Sequence, residues 1–340
     1  MINIISKSHN RLLASGPKKV VDNLIKGLDA IGYPYAINRR LDACQRLWIH
    51  DDLDALWQIK KLPTEIKVAI GPNLFVKPSQ VPKGLDLSRA VYLQPSRWTA
   101  DFWQKFGFNG CPVDVWPTGI DTTEFSPALG DKSFVLVYFK QRSAAELEFV
   151  KQELVSRGLH HKVVQYPKYR ESEYKKMLAQ ARYMIWLGGQ ESQGLALLEG
   201  LSCNIPMLVC DVGRIGDSVV SKKNTGLFTG EESVFPATSA EYFDSRCGIK
   251  IKQLKELPSA LDRMEKEWKA FNPREYILQS LSLEKQAKDF VEIYQKHFGL
   301  GFGEGFGEKL LNRGKWKNDI WRYKAVGWAK DCIKILQRAV

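Results

Sequence analysis

Glu191 and Glu199 are the two acids whose spacing invites chemistry. Seven residues separate them within the string Tyr183 to Cys210, YMIWLGGQESQGLALLEGLSCNIPMLVC. Eight positions make about two and a quarter helical turns, so a carboxylate at a helix mouth and one further along can address opposite ends of one elongated ligand. The apolar run Tyr183 to Leu187 has the length of a buried strand, and Gly188-Gly189 breaks it before a polar loop and a helix-like run. Pro206 near the start of the next apolar run, Ile205 to Cys210, suits the first residues of a strand. The order strand, loop, helix, strand is a parallel crossover. Ligands of open parallel sheets bind beyond the carboxyl ends of the strands, so Gly188 to Gln193 is placed to hold an anion. A pair of Glu alone also marks an ordinary helix start, because acids are favoured near the positive end of the helix dipole.

The string ESQGLALLEG resembles the E-x7-E motif of retaining glycosyltransferases of the GT-B fold, family four in particular. The resemblance implies an α/β chain with two Rossmann-like domains facing across a cleft. It places Glu191 beside a donor sugar as a catalytic residue and Glu199 on the ribose of the nucleotide. The amides of Gln193, Gly194 and Leu195 would meet the donor diphosphate. Trp116 to Pro127, WPTGIDTTEFSP, resembles the family's P-N-G-[IV]-D-x-x-x-F-x-P connector, with Thr118 in place of Asn. After the strand-like Phe134 to Phe139, Lys140 and Arg142 stand where the family holds the diphosphate with Arg and Lys, although the usual glycine is absent. Fixed cations and helix-end amides are what a site without metal needs to neutralise a departing diphosphate. Tyr166-Pro167 falls where the family packs the nucleobase, and Asp211 to Gly216 resembles its later glycine-bearing loop. The activity implied is transfer of a sugar from a nucleotide-diphosphate sugar to an acceptor hydroxyl, with retention and with neither metal nor other cofactor. The acceptor would be a glycan, a lipid-linked molecule or a small molecule.

Composition bounds this reading. A chain of 340 residues suggests about two domains. The formal charge of +12 implies an anionic partner, which nucleotide diphosphates, nucleic acid and acidic headgroups all satisfy. Six cysteines without a CxxC pair read as reduced core thiols of a cytoplasmic protein. No signal-peptide core and no run near ~18 apolar residues is present, which suggests a soluble protein or one bound peripherally at a membrane surface. No nucleic-acid motif is recognisable, so a basic nucleotide- or nucleic-acid-binding protein without catalysis rests on charge alone. An epimerase or phosphorylase of the same fold is a further alternative.

The elements that must position these residues divide into residues 1–116 as an acceptor-side Rossmann-like domain, 117–132 as linker, 133–298 as the nucleotide-sugar domain, and 299–340 as a Gly-rich hinge with an amphipathic helix. In the first domain, strand Ile2 to Ile5 leads through a basic loop to a helix from Pro17. Ser15-Gly16 there resembles a reduced form of the family's glycine-rich loop, which implies that Gly16 approaches the donor phosphate; otherwise it simply permits the turn. Neither GxGxxG nor GxxxxGK[ST] occurs, which argues against dehydrogenases and P-loop enzymes. His50, at a strand end, is a candidate catalytic histidine or a structural one. Asp52-Leu53-Asp54 matches the DxD of metal-dependent GT-A enzymes, yet acids at a helix start need no metal, and capping is the preferred reading. Trp98, Phe102, Trp103 and Phe106 share a helix capped by Ser96 and read as core. Near the end, Trp321, Ala325, Trp328, Cys332 and Leu336 form a stripe among lysines and arginines. That tail is read as a helix crossing back onto the first domain, or as one lying on anionic lipid.

Overall fold

A computed structural model describes residues 1–11, 15–219 and 226–301, and it divides into two compact units. Among the described residues the first comprises those within 1–94, 103–119 and 283–301; the second comprises those within 95–102 and 120–282. In chain order the first unit begins with β1 (Ile2–Ile5), α1 (Gly16–Ala30), β2 (Tyr35–Ile37) and β3 (Arg46–Ile49). A single turn α2 (Leu53–Leu56), β4 (Lys67–Ile70) and β5 (Ala90–Gln94) follow, then α3 (Arg97–Lys105), whose first part counts with the second unit, and β6 (Val113–Val115). The six strands form one parallel sheet in the order β2-β1-β3-β4-β5-β6. Strands covered on both faces need apolar side chains on both, which is why β3 and β5 are buried at every position.

The second unit holds β7 (Phe134–Lys140), α4 (Ala144–Ser156), β8 (His161–Gln165), α5 (Glu171–Gln180), β9 (Ala181–Gly188), α6 (Leu195–Ser202), β10 (Met207–Cys210), β11 (Gly248–Ile251), α7 (Leu257–Glu267) and α8 (Pro273–Ser280). Its parallel sheet runs β11-β10-β9-β7-β8. Residues 231–245, expected to be irregular, carry only a short 3-10 turn at Gly230–Glu232. The sequence reading did not include β2 or β11, each at the edge of its sheet.

The last described helix, α9 (Leu283–Phe298), corrects the expected boundary at 298. It belongs to the first unit. Its apolar face, Ala287, Phe290, Val291 and Tyr294, packs with Val20, Leu24 and Leu28 of α1. Trp48, Trp116 and Phe290 meet edge to face at 4.8–5.7 Å. Buried polar atoms are satisfied across the same seam: Trp116 Nε1 donates to the Gln286 carbonyl (2.9 Å) and the Tyr294 hydroxyl to that of Leu47 (2.8 Å). The connector sides with α1 up to residue 119, since Thr118 Oγ1 donates to the Val20 carbonyl (3.2 Å) and Asn23 Nδ2 to that of Gly119 (2.7 Å). The segment 95–102 also departs from the expected boundary. The Tyr242 hydroxyl donates to the Pro95 carbonyl (2.6 Å), and Phe102 meets Phe228 and Phe235.

Where α1 and α9 cross, a Cβ at Gly27 would lie 2.5 Å from the Leu283 carbonyl oxygen. Gly27→Ala is therefore expected to destabilise the first unit by about 2 kcal/mol despite the better helix propensity of alanine. Urea unfolding of the variant measures this.

Cys44, Cys111, Cys203, Cys210 and Cys247 are free thiols, and burial pushes Cys203 up to about 11 and Cys210 up to about 12. Among the described residues no helix is long and apolar enough to cross a membrane. The tail stripe from Trp321 to Leu336, most of the Gly-rich hinge and Cys332 lie outside the described residues.

Candidate functional site

Lys140 ends β7 and Gly188 ends β9, and the two residues are paired across the parallel ladder. The chain leaves β7 through Gln141, a non-glycine residue at φ 55°, and leaves β9 through two glycines with no space for a side chain. A Cβ on Gly188 would collide with the Trp186 indole, and one on Gly189 would come within 2.7 Å of Ser218 Oγ. This close passage is what the Gly-Gly break makes possible. The loop is then pinned residue by residue. Gly189 N–H donates to the Lys140 carbonyl (2.8 Å), Gln190 N–H to Ser218 Oγ (2.8 Å) and Glu191 N–H to the Thr238 carbonyl (3.0 Å). Trp98, in the 95–102 segment of the same unit, donates its Nε1–H to the Glu191 carbonyl (3.1 Å).

The Glu191 side chain meets Lys140, with Nζ and Oε1 2.5 Å apart and only 14% and 19% of the carboxylate and lysine side chains exposed. Burial alone would lower the Lys140 ammonium, but the charge and hydrogen bond of Glu191 outweigh it, and the group sits above its ordinary 10.5. Tyr166 places its ring 4.6 Å from the same Nζ and is 49% exposed, with Pro167 exposed beside it. A cation thus lies between an acid and an open aromatic face. Gly194, left-handed at φ 80°, precedes Leu195 at the start of α6. Gln193 and Gly194 are buried and Leu195 is half-buried.

Glu199 is buried on α6. Its charge, after burial, raises the hydroxyl of Tyr174, while Glu191 contributes in the same direction at Tyr138 after burial and its tyrosine neighbours. Tyr138 and Tyr174 are 5.8 Å apart and Tyr138 stacks on Trp186 at 4.3 Å. Tyr138, Tyr174 and Trp186 belong to one buried cluster, and each carboxylate acts electrostatically on one of its tyrosines.

Arg142 is placed differently from the expectation. Nε donates to Glu146 (3.0 Å), Nη2 is paired with the same carboxylate, and Nη1 donates to the carbonyls of Gly188 (3.3 Å) and Cys210 (2.9 Å). It clamps the ends of β9 and β10 to the first turn of α4, and its donors are spent there. The capping box of Ser143 and Glu146 completes this clamp. Burial would raise the Glu146 carboxyl, but Arg142 and Ser143 more than offset it and hold it below its ordinary 4.5. That contribution is present above the unfolded value and is lost as pH falls through the folded one. Arg142→Leu is expected to cost about 2 kcal/mol of stability at neutral pH, with the deficit shrinking in acid. Denaturant melts at pH 7 and pH 4 compare the two.

His50 is fully buried, 4.8 Å from Trp48, with Nε2 3.0 Å from the Pro17 carbonyl and 3.2 Å from Asn73 Nδ2. Desolvation lowers its pKa and keeps it neutral. The ring ties β3 to the start of α1, contacts that suit the structural one of the two roles the sequence offered. Gly16 is exposed, with open space where a Cβ would stand, so the turn does not demand glycine. Asp52 accepts from the N–H groups of Asp54 (2.9 Å) and Ala55 (3.1 Å), and Lys7 pairs with both acids. Capping accounts for the DxD string. Among the described residues no group of three or more His, Cys, Asp or Glu could hold a metal ion. Sequence reasoning missed Ser218, Thr238 and Ser239, read Trp98 as core, and saw Asp211 only as part of a loop.

No protein-family model and no curated protein matches the chain. Solved structures do. Sucrose-phosphate synthase from Thermosynechococcus elongatus is similar at 11% identity, with 88% of this chain and 99% of that one covered and a TM-score of 0.55. The apo form of the lipopolysaccharide outer core galactosyltransferase WaaB matches at 11% identity over 87% and 99%, with a TM-score of 0.53. Anabaena HepE, solved in complex with UDP, matches at 12% identity over 87% and 99%, with a TM-score of 0.53. These are GT-B structures, and the likeness shows the fold: this chain has the α/β GT-B fold with two parallel-sheet units.

Proposed function

We propose that this chain transfers a sugar from a nucleotide-diphosphate sugar to an acceptor hydroxyl. The observation that carries the reading is the Lys140–Glu191 pair at the carboxyl edge of the second sheet, between the exposed face of Tyr166 and the start of α6. Two of the three structures cited are named as a synthase and a transferase of sugars, and the third holds UDP, which supports the same class.

In the transfer, the bond between the anomeric carbon and the diphosphate oxygen breaks, and its electron pair leaves with the nucleoside diphosphate. The acceptor oxygen forms the new bond to that carbon and gives up its proton to the departing diphosphate oxygen. Lys140 and the amides of Gln193 to Leu195 would stabilise the charge gathering on the diphosphate. Glu191 would orient the sugar and face the positive charge that develops on its ring. Glu199 would accept from the ribose hydroxyls, and Tyr166 would offer its ring to the base. Lys140 and the helix amides supply positive charge at the leaving group, so the reading needs no metal, and it carries retention of configuration. The acceptor is a glycan, a lipid-linked molecule or a small molecule.

Incubation with UDP-, GDP- and ADP-sugars, with and without chelator, tests this by product analysis. Nucleoside diphosphate release coupled to a new glycosidic bond with retained configuration, unaffected by chelator, is expected. Complete and reversible loss in chelator would point to a metal site instead.

A further inference from the structure

We propose, on the reading of Glu191 given above, that Asp211 is a positioning residue for Glu191, acting through the segment 238–240. Asp211 follows β10 directly, and its N–H donates to the Ile251 carbonyl of β11 (2.9 Å), so its backbone is part of the sheet. Its side chain is 11% exposed. Four donors converge on the carboxylate: Val212 N–H at 2.9 Å, Ser239 N–H at 2.7 Å, the Ser239 hydroxyl at 2.9 Å, and the Thr238 hydroxyl at 2.8 Å from one oxygen and 2.9 Å from the other. Lys250 of β11 stands 3.6 Å from the same carboxylate, and its Nζ donates to the Ala240 carbonyl (2.6 Å). Ala240 N–H in turn donates to Thr238 Oγ1 (3.0 Å).

The segment is thus fastened to the sheet through side chains and amides. On its other side it offers the Thr238 carbonyl to the Glu191 N–H (3.0 Å), and the Ser239 carbonyl lies 3.7 Å from the Cβ position of Gly194. One acid at the end of β10 therefore fixes, through Thr238, the backbone of Glu191. A carboxylate suits this post because charge-assisted hydrogen bonds are shorter and stronger than neutral ones, and because four donors offset its desolvation. The segment forms no helix or ladder of its own at 238–240, so its register depends on this anchor. Misplacing a reacting group by about 1 Å can cost ~100-fold in rate.

Asp211→Asn keeps the shape, removes the charge and turns one acceptor into a donor. Its sugar transfer is expected to fall about 10- to 100-fold. Affinity for UDP, GDP or ADP, whichever the wild type binds, should stay within about twofold because Lys140 and Tyr166 are held by other strands. Hydrogen exchange at 189–193 should speed up in the same variant. Wild-type turnover, or unchanged exchange at 189–193, would overturn the assignment, as would an equal loss of nucleotide affinity. Should Asp211→Asn not fold, Thr238→Val, which keeps the carbonyl and removes the hydroxyl, carries the test with the same pattern at smaller size. A wild-type chain inert toward every sugar nucleotide refutes the proposed role of Glu191, while the exchange experiment still decides whether Asp211 holds the loop.

Discussion

Glu191→Ala is expected to transfer sugar at least about a hundredfold more slowly than the wild type while still binding nucleoside diphosphate. Two consequences of the substitution pull apart. The carboxylate beside the breaking bond is lost, which lowers turnover. Lys140 loses its partner 2.5 Å away, which leaves a largely buried ammonium uncompensated and costs about 2 kcal/mol of stability. A nucleoside diphosphate supplies the missing negative charge, so its affinity should hold or rise, and its thermal stabilisation of the variant should exceed that of the wild type. Turnover assays and thermal melts with and without ligand separate these effects. Full turnover would remove Glu191 from the chemistry, and loss of binding would make it a ligand contact instead.

Lys140→Met should show the opposite pattern. Removing a charged donor from a phosphate is expected to weaken nucleoside diphosphate binding by about 10- to 100-fold, since a hydrogen bond to a charged group is worth about 1.5–3 kcal/mol. Turnover falls with it. Arginine is a poor replacement, because its planar fork must fit a space set for a compact ammonium beside the Tyr166 ring. The pH dependence has a definite sign. Lys140 is raised above 10.5 in the folded chain, so its contribution is complete below 10.5 and is lost only as pH rises through the folded value. Calorimetric titrations between pH 7 and pH 10 should therefore show no decline in nucleotide affinity from this group. A fall centred near pH 8 would show that another cation carries the phosphate.

The parallel sheets were legible in the sequence because strands buried on both faces read as continuous apolar runs, such as Tyr183 to Leu187 and Phe134 to Phe139. The Gly188-Gly189 break was equally plain, since close backbone passage excludes side chains. The home of α9 was not. Its stripe of Ala287, Phe290 and Tyr294 announces a buried face but not which helix covers it, and the answer depends on Gly27, some 260 residues earlier. Arg142 shows a second limit, because a cation after a strand has the same sequence appearance whether it faces a ligand or folds back. The Ser143 to Glu146 capping box was the available signal that an acid waits at hydrogen-bond distance. His50 could be catalytic or structural from sequence, and the Pro17 carbonyl that its ring meets lies too far along the chain to be read there. Asp211 finds its partners 27 and 28 residues away, in a stretch whose Thr and Ser give no periodic signal.

The most direct measurement is calorimetric titration of the full chain with UDP, GDP and ADP, beside the corresponding nucleosides and a single-stranded oligonucleotide. Saturable one-site binding of at least one diphosphate is expected, with the nucleoside much weaker and the signal largely lost in Lys140→Met. If no diphosphate binds saturably while the oligonucleotide binds with steep salt dependence, the Lys140–Glu191 edge is not a donor site and the charge of +12 serves nucleic acid instead.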